Sequence, residues 1–240
     1  MTRTSDAPLP TPTTGPVFDL DGVRVAYDGR TVLDGVTVRL AERRIGVIGE
    51  NGSGKSTFAR LLNGLVLPDA GTVRVDGLDT ADDVRAVRSR VGFVFQNPDN
   101  QIVFPIVAED LAFGLKNIGL PKGEVPGRVA AALAGFGIAH LAERQSHLLS
   151  GGEKQLVALA AVMVMRPGAV VFDEPTTLLD LKNRNVIRAA IADMDPSAVV
   201  VTHDLELLGG FDRVLVIHQG RIACDADPAT AVSWYRENCS

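Results

Sequence analysis

The stretch Gly49-Glu50-Asn51-Gly52-Ser53-Gly54-Lys55-Ser56 decides the reading of this sequence. It has the form G-x-x-x-x-G-K-[ST], and each fixed position has a mechanical reason. Glycines let the backbone curl until its amide N–H groups point inward at phosphate oxygens. A helix that starts at the lysine adds the positive end of its dipole. Lys55 reaches the terminal phosphates, and the Ser56 hydroxyl ligates Mg²⁺. Such a loop needs a strand before it and a helix after it. Arg44–Gly49 reads as a short buried strand and Lys55–Gly64 as a helix, so both are present.

The flanking sequence extends this unit in both directions. Residues 17–43 alternate apolar and polar side chains around a turn at Asp28-Gly29, which reads as antiparallel strands. Beyond the loop, Gly71–Gly77 reads as a strand, Thr80–Arg90 as a helix and Val91–Gln96 as a strand. From residue 97 to about 166 the apolar spacing is helical and strand signals vanish, which places a helical subdomain there. A strand (Val170–Asp173), a helix (Asn183–Asp193), a strand (Ala198–Thr202), a hairpin (Arg213–Cys224) and a helix (Pro228–Glu237) follow. Strands alternating with helices imply a mostly parallel sheet covered by helices. The expected fold is therefore α/β. Over residues 17–240 it has a P-loop NTPase (RecA-like) core, an antiparallel β subdomain and an inserted α-helical subdomain.

Composition narrows the function classes. A net charge of −5 leaves no overall basic field, so nucleic acid is not expected as a partner. No stretch approaches the ~20 apolar residues that span a bilayer. If the protein serves transport, other chains must form the pathway. Residues 1–16 are rich in Thr and Pro and lack an apolar signal region, so they read as a disordered tail. The only two cysteines, Cys224 and Cys239, have no ligand-like spacing. They read as reduced thiols with no disulfide or metal role.

Two more strands end in chemistry. Ala169-Val170-Val171-Phe172-Asp173-Glu174 puts two carboxylates at the C-terminal end of an apolar strand, the edge where parallel sheets bind ligands. Asp173 would hold Mg²⁺ through its water shell. Glu174, one residue on, points differently and can act as the base that orients an attacking water. Val199-Val200-Val201-Thr202-His203 is a second such strand, and His203 could reach a terminal phosphate. Farther along, Leu149-Ser150-Gly151-Gly152-Glu153 precedes an apolar run. Ser150 with Glu153 is an S-x-x-E capping box opening a buried helix. The two glycines also leave the amides at that helix start uncovered, which makes an anion site. One subunit has no evident need of a second phosphate site, whereas a second copy of the chain would use it.

These motifs, in this order, resemble those of ABC transporter nucleotide-binding subunits, and the resemblance covers nearly everything after residue 16. It implies ATP as substrate and Mg²⁺ as cofactor, bound by Gly49, Asn51, Gly52, Ser53, Gly54, Lys55, Ser56 and Thr57. It implies Tyr27 as the platform for adenine, where stacking binds without reading much base identity. Gln96 would link Mg²⁺ and water to the membrane partner, and Leu178-Leu179-Asp180 would be the D-loop. Members dimerise head to tail, so ATP would lie between one phosphate loop and the partner copy's Ser150, Gly151 and Gly152. Within the family, Phe95–Ile102 followed by Glu109–Gly114 resembles the energy-coupling-factor (ECF) group, whose importers take up vitamins, cobalt or nickel. Asp173–Leu181 and the tail Trp234-Tyr235-Arg236 are most similar to biotin-uptake ATPases. Partners are then an integral membrane coupling subunit and a separate membrane substrate-binding subunit. The place is the cytoplasmic face of the membrane, with peripheral attachment. One departure is Leu156, where many relatives carry Arg. It stands outside the phosphate-contacting residues and bears on a local surface contact.

Other functions fit less well. ATPases of the chromosome-maintenance kind place long coiled coils between phosphate loop and signature, and here that interval lacks heptads. A regulatory module without catalysis would have lost the base, whereas Glu174 and His203 are both present. A translation-associated relative would carry two such domains in one chain.

Overall fold

The computed structural model describes residues 15–177 and 179–239. Residues 1–14 of the expected tail, Leu178 of the expected D-loop and Ser240 lie outside the described residues.

The chain opens with a hairpin of β1 (Phe18–Tyr27) and β2 (Arg30–Leu40). Its two-residue turn has positive φ at both Asp28 (50°) and Gly29 (79°), the mirror-image turn that matches the twist of the strands. The register slips between Leu20 and Val23, with Gly22 at φ 58°. Two apolar residues three apart therefore both reach the core. After β3 (Arg44–Ile48) and α1 (Lys55–Leu61), the chain returns to this sheet through β4 (Ala70–Val75) and β5 (Leu78–Asp79). The order is β2-β1-β4-β5, antiparallel throughout.

A second sheet carries the parallel core. After α2 (Val84–Arg90) comes β6 (Val91–Val94), then the helices α3 (Val107–Asn117), α4 (Val125–Gly135) and α5 (Gly151–Met163). The chain continues through β7 (Ala169–Asp173), α6 (Leu181–Asp193), β8 (Ser197–Val201), β9 (Arg213–His218), β10 (Arg221–Ala226) and α7 (Pro228–Asn238). The strand order is β10-β9-β3-β8-β7-β6, and only β9 with β10 is antiparallel. The strands β3, β7 and β8 are buried at every position, as expected where helices or a second sheet cover both faces.

Alternate residues of one strand feed two cores. Ala169 and Val171 of β7 join β1, β2, β4 and α1 on one side. Val170 and Phe172 join α5 and α6 on the other. The helices between β6 and β7 have an apolar cluster of their own, built around Val107, Leu111, Leu115, Leu133 and Leu141. Helix α5 contributes Val157 and Ala160 to that cluster and Leu159 and Val162 to the sheet, so it joins the two bodies.

Two elements differ from the sequence reading. The helix expected over Thr80–Arg90 begins only at Val84. Leu78-Asp79 instead pairs with β4, and the Asp79 carboxylate accepts from the Ala81 amide at 2.9 Å, so the run of aspartates forms a turn. Between β6 and β7, among the described residues, extended pairing is limited to one bridge, Ile106 with Gln145. No helix of the described residues is long and apolar enough to cross a membrane.

Candidate functional site

The phosphate loop joins the C-terminal end of β3, the central strand, to α1. Two of its glycines are dictated by crowding. A Cβ on Gly49 would collide with the carbonyl oxygen of Ile217 on β9. On Gly54, at φ 107°, it would lie 2.7 Å from Leu33 Cδ2. Lys55 Nζ is buried and donates to two carbonyls of its own loop, Gly49 O at 2.9 Å and Glu50 O at 2.8 Å. Burial pulls its pKa down, while Glu174, Asp173 and Glu50 pull it back up. The buried Ser53 hydroxyl has no partner among the described residues.

Strands β7 and β8 deliver the acidic side of the site. The Ser56 hydroxyl donates to Asp173 Oδ1 at 2.8 Å. Asp173 is almost fully buried, and burial pushes its carboxyl above the usual aspartate range. The Ser56 hydrogen bond and Arg60, 3.6 Å away, oppose that shift. Glu174 has φ 53°, a left-handed conformation that costs a non-glycine residue on the order of 1–3 kcal/mol. Its amide is tied to Val201 O at 2.9 Å, and its Oε2 accepts from the Thr177 hydroxyl at 2.9 Å. His203 follows β8 and places Nε2 2.8 Å from Glu174 Oε1.

A cavity of about 810 Å³, within the usual range for ligand sites, gathers most of the expected residues. Asn51, Gly52, Gly54, Lys55, Ser56 and Thr57 line it, as do Tyr27, Gln96 and Glu174. Tyr27 is 46% exposed at the tip of the hairpin. Gly49, Ser53, Asp173 and His203 do not line it; Asp173 and His203 reach it only through their contacts with Ser56 and Glu174, which do.

Sequence reasoning missed Arg30, Thr31 and Val32 at the start of β2, and Gln219 and Gly220 in the β9–β10 turn, all of which line the cavity. The turn is docked by two hydrogen bonds, from Gly220 N to Ser53 O (3.2 Å) and from Asp34 N to Gly220 O (2.9 Å). Gln219-Gly220 signals only a hairpin in the sequence, and its contact partners lie more than 150 positions away.

The segment Ser150, Gly151 and Gly152 opens α5 and does not line this cavity. The expected capping box is present. Glu153 Oε2 accepts from the Ser150 amide at 2.8 Å, and the Ser150 hydroxyl, the largest influence, holds the Glu153 carboxyl below its usual range. Ser150 and Gly151 are exposed, whereas Gly152 is buried and a Cβ there would collide with Asn183 of α6.

Gln96 leaves β6 and faces the cavity. Next to it, the Gln101 side chain accepts from Phe95 N at 3.3 Å and donates to Ala158 O of α5 at 2.7 Å. The buried Asp110 carboxylate accepts from Val103 N and Phe104 N. Of the apolar residues over 102–115, Val107, Leu111 and Leu115 are core, while Val103 (72% exposed) and Phe113 (42%) face outward. The rings of Phe104 and Phe113 pack 4.9 Å apart.

A family model described as "ABC transporter" matches residues 33–177. The chain belongs to the ABC transporter family. Among relatives of this ABC protein, the biotin transport ATP-binding protein BioM of Rhizobium etli is 53% identical over 220 residues, covering 92% of this chain and 98% of that one. The energy-coupling factor transporter ATP-binding protein EcfA1 of Symbiobacterium thermophilum is 45% identical over 231 residues, covering 90% and 80%. Among solved structures, cbiO1 of Clostridium perfringens, described as part of the ABC transporter complex cbiONQ, aligns with TM-score 0.81 at 30% identity over 91% of each chain. The ABC fold expected from the phosphate loop is thus shared with these proteins.

Proposed function

We propose that this chain is the ATP-hydrolysing subunit of an ECF-type importer, with biotin as the favoured solute. The observation that carries the reading is the convergence of three pairs at one sheet edge: Lys55 with its loop carbonyls, Ser56 with Asp173, and Glu174 with His203. Lys55 exchanges its two carbonyl partners for phosphate oxygens, and the unpartnered Ser53 hydroxyl lies in the same loop. Ser56 and Asp173 are oxygen donors already in contact, the donor set Mg²⁺ takes. When bound, the ion neutralises charge on the phosphates. Glu174 accepts the proton of the attacking water, and His203 holds the carboxylate oxygen that must face that water. Tyr27 stacks on the base.

Composite sites in a head-to-tail homodimer account for Ser150 and Gly151, which stand exposed at a helix start and do not line their own chain's cavity. Leu148 and Leu181, 62% and 69% exposed, flank that surface. Residues 96–113 line the groove for an integral membrane coupling subunit, with Val103 and Phe113 exposed and Phe104 half-buried beside them. A separate membrane subunit binds the solute, and the ATPase attaches peripherally at the cytoplasmic face. Biotin is favoured over cobalt or nickel by the likeness of Asp173–Leu181 and the Trp234-Tyr235-Arg236 tail to biotin-uptake ATPases and by the 53% identity to BioM. Uptake of labelled biotin by cells carrying this chain with its membrane partners, against uptake of cobalt and nickel, tests the solute. Metal uptake without biotin uptake would overturn that assignment.

A further inference from the structure

Glu50, His218 and Cys239 come from three separate segments and meet in space. Glu50 belongs to the phosphate loop, His218 ends β9, and Cys239 follows the last turn of α7. Their donor atoms all lie within 4.8 Å of one another. His218 Nδ1 is 3.2 Å from Glu50 Oε2 and 3.4 Å from Cys239 Sγ. Ligands of a tetrahedral zinc ion with bonds of about 2.0–2.3 Å stand about 3.3–3.6 Å apart. The 3.4 Å edge therefore lies inside this range and the 3.2 Å edge just under it, and the third, at most 4.8 Å, closes by rotation of the half-exposed Glu50 side chain.

Each donor sits on a firm support. Helix α7 is anchored by Ala231, Val232 and Trp234, which pack with Ile48 and Val216. Cys239 N donates to Tyr235 O at 2.9 Å, which fixes the residue that carries the sulfur. The Trp234 ring lies edge-on to the His218 ring at 6.3 Å. The Glu50 carbonyl accepts from Lys55 Nζ while its side chain joins the cluster. The spacing of positions 50, 218 and 239 carries no ligand pattern, which is why the sequence reading gives Cys239 no metal role.

We propose that Glu50, His218 and Cys239 bind one zinc-class divalent ion, with a fourth position open to water, and that this ion ties the phosphate loop to α7. One thiolate, one imidazole nitrogen and one carboxylate suit a borderline ion and not Mg²⁺. The Cys239 thiol releases its proton when the ion binds. The proposal does not rest on the assignment of ATP hydrolysis.

The test uses the full chain stripped of metal. Titration with Co²⁺ should develop a thiolate-to-cobalt charge-transfer band that saturates at one equivalent. The band should vanish in Cys239→Ser, persist in Cys224→Ser, and need at least about tenfold more Co²⁺ in His218→Ala. In the wild-type chain, Zn²⁺ should slow alkylation of Cys239 at least about tenfold and leave Cys224 unchanged, a comparison that needs no variant to fold. No band in the wild type, an equal band in Cys239→Ser, or an alkylation rate indifferent to Zn²⁺ would each overturn the proposal and leave a plain hydrogen bond between Cys239 and His218.

Discussion

His203 Nε2 lies 2.8 Å from Glu174 Oε1, and Glu174 is held in a left-handed backbone conformation at φ 53°. The strain and the contact belong together. Residue 174 leaves a buried strand and turns sharply, which aims its carboxylate at both the cavity and the histidine. Such strain persists only where the surroundings hold it, here the Val201 carbonyl and the Thr177 hydroxyl.

That backbone gives a stability prediction separate from catalysis. Glu174→Gly and Glu174→Ala both remove the carboxylate and its hydrogen bonds, but only glycine adopts φ 53° without strain. Urea denaturation should find Glu174→Gly about 1 kcal/mol more stable than Glu174→Ala. Equal stability, or a more stable alanine variant, would contradict the strained geometry. Both variants should lose turnover.

The inserted helices separate core from surface. Leu111→Ala removes a fully buried side chain and should cost about 2–5 kcal/mol. Val103→Asp changes a side chain that is 72% exposed and should leave stability within about 0.5 kcal/mol of wild type. On a purification column carrying the membrane partner, Val103→Asp should lose retention while binding nucleotide normally. Normal retention and solute uptake would place the interface elsewhere. Phe104, half-buried against Phe113, is a poorer probe because a charge there disturbs packing as well.

Much of this fold can be read directly from the chain. The Asp28-Gly29 turn, the buried strands that end at Ile48, Asp173 and Val201, and the Ser150–Glu153 capping box each carry a local signal. The local chemistry there agrees with the tertiary result. The cavity was legible where its residues belong to a motif: Asn51, Gly52, the run from Gly54 to Thr57, Glu174 and, through the family resemblance, Tyr27 and Gln96. It was not legible at Arg30–Val32 or Gln219-Gly220, which meet the phosphate loop only because β9 pairs with β3 and its turn docks beside β2. Cys239 beside His218 is the same case. Nothing local marks either residue, and α7 brings them together only by packing on β9. Within residues 102–115, hydrophobicity alone did not separate core from surface, because Val103 and Val107 differ only in which way the chain turns.

The capping box at α5 predicts a pH dependence. The hydrogen bonds from Ser150 depress the Glu153 pKa, so its contribution to stability is present above the ordinary glutamate range. That contribution is lost as pH falls through the depressed value. The melting temperature of wild type should exceed that of Glu153→Gln at pH 7, and the gap should close on acidification. A gap independent of pH would argue against the ionised box.

Shared sites between two copies are tested by mixing broken chains. Ser150→Arg and Lys55→Ala each spoil both sites of their own homodimer. A mixed dimer has one intact site and one doubly broken site. Nucleotide trapping should return on mixing, and no recovery at any ratio would contradict the head-to-tail arrangement.

The most direct test of the central claim compares Glu174→Gln with wild type in the assembled transporter. Nucleotide binding and steady-state release of phosphate are measured on the same preparation. The variant should bind ATP at least as well as wild type and lose turnover by at least about 10²-fold, the scale of a removed general base. ATPase activity equal to wild type in Glu174→Gln would contradict the assignment of the base and the hydrolytic account built on it.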